Sequence, residues 1–258
     1  MADLSFSIAA AGYPGHQVLD SVSATLPTGQ FVALLGANGE GKTTLLRCLA
    51  GLHRTERGSV RFNGVPIDQG NPQERAARLA FCPQSSPPSF PFRVDEVLSL
   101  ARYGRRESPA EIKKQVLACA RKHRLHALLG RPIDTLSGGE WRRVCLARTF
   151  LQDSACVLLD EPTAHLDLGH RLECFEACRK QASRGKCVLV ATHDLETILE
   201  FADRFLVLHG GRLIADGPAR EVVTEELLER IFHISGVGVV LDRHCSKPRI
   251  ELKKREEP

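Results

Sequence analysis

The stretch Gly36-Ala37-Asn38-Gly39-Glu40-Gly41-Lys42-Thr43-Thr44 narrows the possible folds of this chain more than any other. The apolar run Phe31–Leu35 precedes it and Leu45-Leu46-Arg47-Cys48-Leu49 follows, so the local order is strand, glycine-rich loop, helix. In the spacing G-x-x-x-x-G-K-[ST], glycines let consecutive backbone N–H groups turn inward at the positive end of a helix, which makes a cradle for phosphate. Lys42 is then placed to neutralise the β- and γ-phosphates of a nucleotide, and the Thr43 hydroxyl to ligate Mg²⁺. The expected fold is therefore α/β, built on a P-loop nucleotide-binding core.

A second segment supplies what such a cradle lacks. Val157-Leu158-Leu159-Asp160-Glu161 is an apolar run ending in two carboxylates, where a nucleotide fold presents side chains to the triphosphate. Adjacent acids take different work: Asp160 supports Mg²⁺, and Glu161 orients and polarises the water that attacks the γ-phosphate. Around these segments, residues 4–9 and 18–26 alternate apolar and polar positions, predicting an N-terminal antiparallel β layer. Residues 59–64 and 79–82 read as further strands, and from about residue 88 the pattern turns helical. Ser108-Pro109-Ala110-Glu111 opens a capped helix carrying Ile112, Val116, Cys119 and Ala120 on one face, which marks an inserted helical lobe. Continuous apolar runs at 156–160 and 187–192 predict strands buried on both faces of a parallel sheet. Phe205-Leu206-Val207-Leu208, His209-Gly210-Gly211 and Arg212-Leu213-Ile214-Ala215 predict a hairpin, followed by an acid-capped helix over 224–232. The resulting division is 1–87 for the first part of the core, 88–152 for the lobe, 153–233 for the rest of the core, and 234–258 for a tail.

Composition excludes other classes. A chain of 258 residues holds one large α/β domain with an insertion, and its apolar runs fall short of the ~18 to 20 residues of a membrane span. The opening Met1-Ala2-Asp3-Leu4-Ser5 lacks the basic segment and apolar stretch of a secretory signal, so a cytoplasmic compartment and nine reduced cysteines are expected. No C-x-x-C pair is present, which speaks against a zinc ribbon. The net charge of +4 is mild, and the basic residues of 247–255 read as a solvated or frayed end rather than a nucleic-acid clamp.

Leu136-Ser137-Gly138-Gly139-Glu140, placed shortly before Asp160-Glu161, brings out a family likeness. The chain resembles the nucleotide-binding subunits of ATP-binding-cassette (ABC) transporters, over roughly residues 3–233. Ser137 and the following glycines at a helix start suit a second anion site. The resemblance implies that Ser137, Gly138, Gly139 and Glu140 close on ATP held by a second copy, in a head-to-tail dimer that sandwiches two nucleotides. It further implies Gln84 as a contact of Mg²⁺ and attacking water, His193 as the switch histidine at the γ-phosphate, Asp167 at the dimer seam, and Tyr13 as the aromatic stacked on adenine. ATP and Mg²⁺ are the implied ligands. The implied partners are polytopic permease subunits and, through them, a substrate-binding protein, with the chain peripheral on the cytoplasmic face of the membrane and no nucleic-acid role.

Phe90-Pro91-Phe92-Arg93-Val94, with Ala101-Arg102-Tyr103-Gly104-Arg105 and Ala215-Asp216-Gly217-Pro218, is similar to importers of iron-siderophores, haem and cobalamin. A zinc or manganese importer ATPase and a soluble Fe–S assembly ATPase are the alternatives. Two points stay open: Phe90 and Phe92 either anchor the lobe or face a membrane partner, and Trp141, where the family usually has Gln or Arg, either packs in the lobe or lies near the subunit seam.

Overall fold

Strands without polar alternation divide their side chains between two cores, and that division builds the molecule. Phe31, Ala33 and Leu35 point into one core and Val32 and Leu34 into the other. The same split separates Val157 and Leu159 from Cys156 and Leu158, and Phe205 and Val207 from Leu206 and Leu208. A sheet with apolar side chains on both faces must be covered on both, which the rest of the chain does. The computed structural model describes residues 3–84, 91–164, 166–232, 237–241 and 248–252.

In chain order the first elements are β1 (Asp3–Tyr13), β2 (His16–Pro27), β3 (Phe31–Leu35), α1 (Lys42–Leu49), β4 (Arg57–Phe62), β5 (Val65–Pro66), α2 (Pro72–Arg78) and β6 (Leu79–Cys82). The helical insertion follows with α3 (Val94–Leu100), α4 (Pro109–Lys122) and α5 (Gly138–Leu151). The core resumes with β7 (Cys156–Asp160), α6 (Leu168–Ala182), β8 (Cys187–Ala191), α7 (Leu195–Ile198), β9 (Arg204–His209) and β10 (Arg212–Gly217). Helices α8 (Ala219–Val222) and α9 (Glu225–Phe232) and strands β11 (Val237–Leu241) and β12 (Pro248–Leu252) follow.

The six-stranded sheet has the order β10-β9-β3-β8-β7-β6, parallel from β9 to β6, with β10 antiparallel at one edge. The antiparallel layer has the order β2-β1-β4-β5. Leu4, Phe6, Ile8, Leu19 and Leu26 from that layer share a core with α1 and one face of the parallel sheet. The opposite face packs on α6 and on the lobe, where Phe175 meets Phe31 and Phe201 at ring-centroid distances of 6.3 and 5.8 Å. Both layers of the α/β expectation are present.

The Ser108 capping box forms as its spacing predicts, with Glu111 N–H donating to Ser108 Oγ and Ser108 N–H to Glu111 Oε2 at 2.7 Å. Val116, Cys119 and Ala120 are buried and Ile112 packs at the margin. Trp141 packs into the larger core and is buried, so it takes the lobe position of the two left open. Phe92 is 41% exposed, while Phe90 lies outside the described residues. Eight cysteines are buried free thiols, and Cys245 lies outside the described residues.

Residues 237–241 and 248–252 add an element the sequence reading did not include. Within the segment read as a solvated or frayed end, 248–252 form β12, which pairs antiparallel with β11 from Val237↔Leu252 to Leu241↔Pro248. Val239 leans on the larger core, and its N–H donates to Glu225 Oε1 at 3.2 Å. The β-branched run Val237-Gly238-Val239-Val240 carries this signal, which the neighbouring basic residues obscured.

At the end of α4, His123 stacks on Phe150 at 5.9 Å, and burial pushes its pKa from 6.5 down to about 4. The unfolded chain takes up this proton first, so the ring's contribution is present above pH ~6.5 and lost as pH falls through ~4. Between pH 7 and 5 the loss attributable to His123 is about 2 kcal/mol. Urea unfolding at the two pH values checks it, with the His123→Phe variant losing less stability than the parent on acidification.

Candidate functional site

The carboxyl ends of β3, β8 and β7 lie side by side, so the loops leaving them converge. From β3 comes the glycine-rich loop, from β8 His193, and from β7 the pair Asp160-Glu161. Gly41 caps α1 with φ 98°, and a Cβ there would stand 2.8 Å from Val18 Cγ1. Gly36, at the end of β3, leaves no room either: its Cβ would lie 2.5 Å from the Leu208 carbonyl oxygen. The loop therefore owes its path to glycine at both places.

Lys42 Nζ donates to the Gly36 and Ala37 carbonyls at 2.8 and 2.9 Å. Burial depresses its pKa, opposed by the negative charges of Glu161, Asp160 and Glu40. Asp160 is 1% exposed and Glu161 6%. Burial raises the Asp160 carboxyl, opposed by the nearby Thr43 hydroxyl and by the charges of Arg142, Lys42 and Arg47. Among the described residues, both Asp160 carboxylate oxygens are buried without a hydrogen-bond partner. Glu161 sits at φ 47°, a left-handed conformation uncommon for a non-glycine residue, and its N–H donates to the Ala191 carbonyl at 2.9 Å. Its Oε2 lies 2.8 Å from His193 Nδ1.

These side chains open on one cleft of about 540 Å³. Asn38, Gly39, Gly41, Lys42, Thr43 and Thr44 form its phosphate-loop side. Asp160, Glu161, His193 and Gln84 form the other, and Tyr13 closes an end. The Tyr13 ring is exposed and is steadied from behind by His53, with centroids 5.0 Å apart and His53 Nε2 2.7 Å from the Gly12 carbonyl oxygen.

Other expected residues lie elsewhere. Gly36 and Ala37 offer their carbonyls to Lys42, while the Glu40 carboxylate turns to the β9–β10 turn, accepting from Gly210 N–H and lying 3.1 Å from His209 Nδ1. Ser137, Gly138, Gly139 and Glu140 begin α5 away from the cleft. There Ser137 Oγ accepts from Glu140 N–H at 3.2 Å, and Glu140 accepts from Ser137 N–H at 2.8 Å and from Arg131 at 3.2 Å. The capping box shapes this turn, whose Ser137 and Gly138 are exposed. Asp167 caps α6 and holds His170 through its N–H at 2.9 Å and its Nδ1 at 2.7 Å. His165 lies outside the described residues.

Sequence reasoning passed over His16 and Val18, which also line the cleft, and above all Arg142. Arg142 is 5% exposed, and its guanidinium donates to the carbonyls of Pro83 (2.7 Å), Pro162 (3.2 Å), Asp160 and Glu161. Its spacing of three, four and seven residues from buried Cys145, Leu146 and Thr149 put it on the inward helix face, a signal present in the sequence.

A glycine-rich loop before a helix, facing a buried Asp-Glu pair at the carboxyl edge of a parallel sheet, defines a P-loop nucleoside triphosphatase. The ABC transporter family profile matches residues 19–164. A hemin import ATP-binding protein, HmuV, from Nocardia farcinica is 42% identical over 221 residues, spanning 85% of this chain and 77% of that protein. Its namesake from Agrobacterium fabrum is 38% identical over 240 residues, spanning 89% and 91%. Among solved structures, an ATP-binding subunit of an ABC transporter matches with a TM-score of 0.77 at 28% identity, over 91% of this chain and 95% of that one. A transporter described as metal-chelate type, in an inward-facing conformation, shares the fold with a TM-score of 0.79 at 23% identity, over 97% and 96%. The chain belongs to the ABC transporter family and is one of its ATPases.

Replacing Lys42 with Ala removes the buried cation from the phosphate loop. ATP binding is expected to weaken by about 10- to 100-fold, measured by calorimetric titration, with far-UV circular dichroism unchanged.

Proposed function

We propose that this chain is the ATP-hydrolysing subunit of an importer for a metal chelate, with hemin as the cargo its relatives favour. The observation that carries the ATPase reading is the cleft in which Lys42, Thr43, Asp160, Glu161 and His193 meet, while the Ser137 turn stays exposed outside it. One chain then holds the nucleotide and lacks the anion site that would cover it. A second copy, arranged head to tail, brings its own Ser137, Gly138 and Gly139 to that open side, with Asp167 near the seam.

In this reading Tyr13 stacks on adenine, and backbone N–H groups of 36–44 and Lys42 hold the phosphates. The two orphaned, buried oxygens of Asp160 beside the Thr43 hydroxyl fit a divalent cation, with Gln84 on the same cleft. Mg²⁺ held there would offset charge on the β- and γ-phosphates. Glu161 takes hydrogen-bond contact with the attacking water, and His193, already 2.8 Å from Glu161, keeps that carboxylate aimed and reaches toward the γ-phosphate.

Among the described residues no helix is long and apolar enough to cross a membrane. Transport therefore calls for permease subunits, which this chain joins at the cytoplasmic face, with a substrate-binding protein delivering cargo on the far side. Phe92 and Tyr103, exposed on the lobe, are candidates for the permease contact.

Two measurements test the proposal. Glu161→Gln is expected to bind ATP, lose about 10²- to 10⁴-fold in turnover, and elute as a dimer only with ATP and Mg²⁺ present; a monomer under those conditions removes the shared-site reading. A strain lacking this chain is expected to lose growth on hemin as sole iron source and regain it with the wild-type gene. Unimpaired growth on hemin removes the cargo assignment.

A further inference from the structure

A guanidinium taken out of water needs acceptors, and Arg142 finds four in two segments that matter to hydrolysis. Nη1 binds the carbonyl of Pro83, the residue before Gln84. Nε and Nη2 bind the carbonyls of Pro162, Asp160 and Glu161, three successive residues at the end of β7. Four of its five N–H donors are thereby used, all on backbone oxygen. Arg142 itself stands on α5, five residues after Ser137, and α5 is a single unbroken helix from Gly138 to Leu151.

Three parts of the site are thus tied at one side chain: the helix that begins at the Ser137 turn, the entry to Gln84, and the peptides that carry Asp160 and Glu161. The strained Glu161 backbone, at φ 47°, is one of those held. A conformation of that kind persists only when its surroundings over-determine it, and the forked guanidinium is the polar group that grips its carbonyl. Lysine would present a single ammonium with no fixed fork and could not reach all four acceptors in this geometry.

We propose that Arg142 is a positioning residue for ATP hydrolysis: it sets Glu161 and Gln84 in register with α5, so that movement of the Ser137 turn is felt at the hydrolytic carboxylate of the same chain. The part of this that involves a second copy rests on the shared-site reading above. On that reading, engagement of Ser137 by the partner's ATP shifts α5 and, through Arg142, completes the geometry around Glu161. Each chain would hydrolyse its nucleotide only once its own Ser137 turn is occupied.

Arg142→Gln and Arg142→Lys, in the full chain, test the inference. Steady-state hydrolysis should show kcat reduced by about 100-fold in both, with the dissociation constant for ATP within about two-fold of wild type, since Lys42 and the phosphate loop are untouched. Trp141, the only tryptophan of the chain, adjoins Arg142 and reports on the start of α5. Its emission is expected to change on ATP addition in the wild type and to respond less in either variant. In Arg142→Ala, added guanidinium ion should restore part of kcat with far-UV circular dichroism unchanged, which separates repositioning of the site from refolding of the chain. Wild-type kcat in Arg142→Gln overturns the proposal, as does a fall in kcat matched by an equal loss of ATP affinity. If Arg142→Gln does not fold, Arg142→Lys decides by the same comparison. Failure of the Glu161→Gln protein to dimerise would remove the link to a second copy and leave the kcat result to judge the tie within one chain.

Discussion

Holding two neighbouring carboxylates almost out of water at the end of β7 is the constraint that shapes this molecule. An ionised carboxylate in a poorly solvated place is unstable unless cations or donors surround it. Asp160 and Glu161 have their compensation assembled from distant parts of the chain: Lys42 from the phosphate loop, His193 from the end of β8, and Arg142 from the lobe helix. Because each of these groups is itself held by carbonyls or by the pair, the site forms only when sheet, loop and lobe are all in place. The fold and the chemistry are thus set by the same electrostatic balance.

Parallel pairing makes that convergence possible. Strands β3, β8 and β7 run the same way and finish at the same edge, so three loops far apart in sequence open onto one cleft. The antiparallel layer adds Tyr13 from another direction. The lobe contributes Arg142 to the interior, yet leaves its Ser137 turn outside the cleft. On the shared-site proposal, a second copy supplies what this cleft lacks.

Much of this is legible in the sequence for definable reasons. Strands β3, β7 and β8 are short continuous apolar runs because both faces are covered, and Lys42, Thr43, Asp160 and Glu161 sit in contiguous motifs that stand out by residue type and spacing. Arg142 was less legible. Its partners are backbone oxygens, which carry no sequence signature, and a charged residue in a helix ordinarily suggests a solvated face. Glu40 misleads in the opposite way: it lies inside the phosphate-loop motif, but its carboxylate turns to a hairpin 170 residues further along. The β11–β12 pairing was hidden by the basic residues around it, whose charge outweighed the β-branched run in a reading by composition.

The Glu40 contact has a wider effect. The turn it grasps is fastened to β2 as well, since Asp20 N–H donates to the Gly211 carbonyl at 2.8 Å and the Asp20 carboxylate pairs with Arg212. Strand β2 is in turn zipped to β1, which ends at Tyr13. The Tyr13 end of the cleft and the glycine-rich loop consequently belong to one stiff frame.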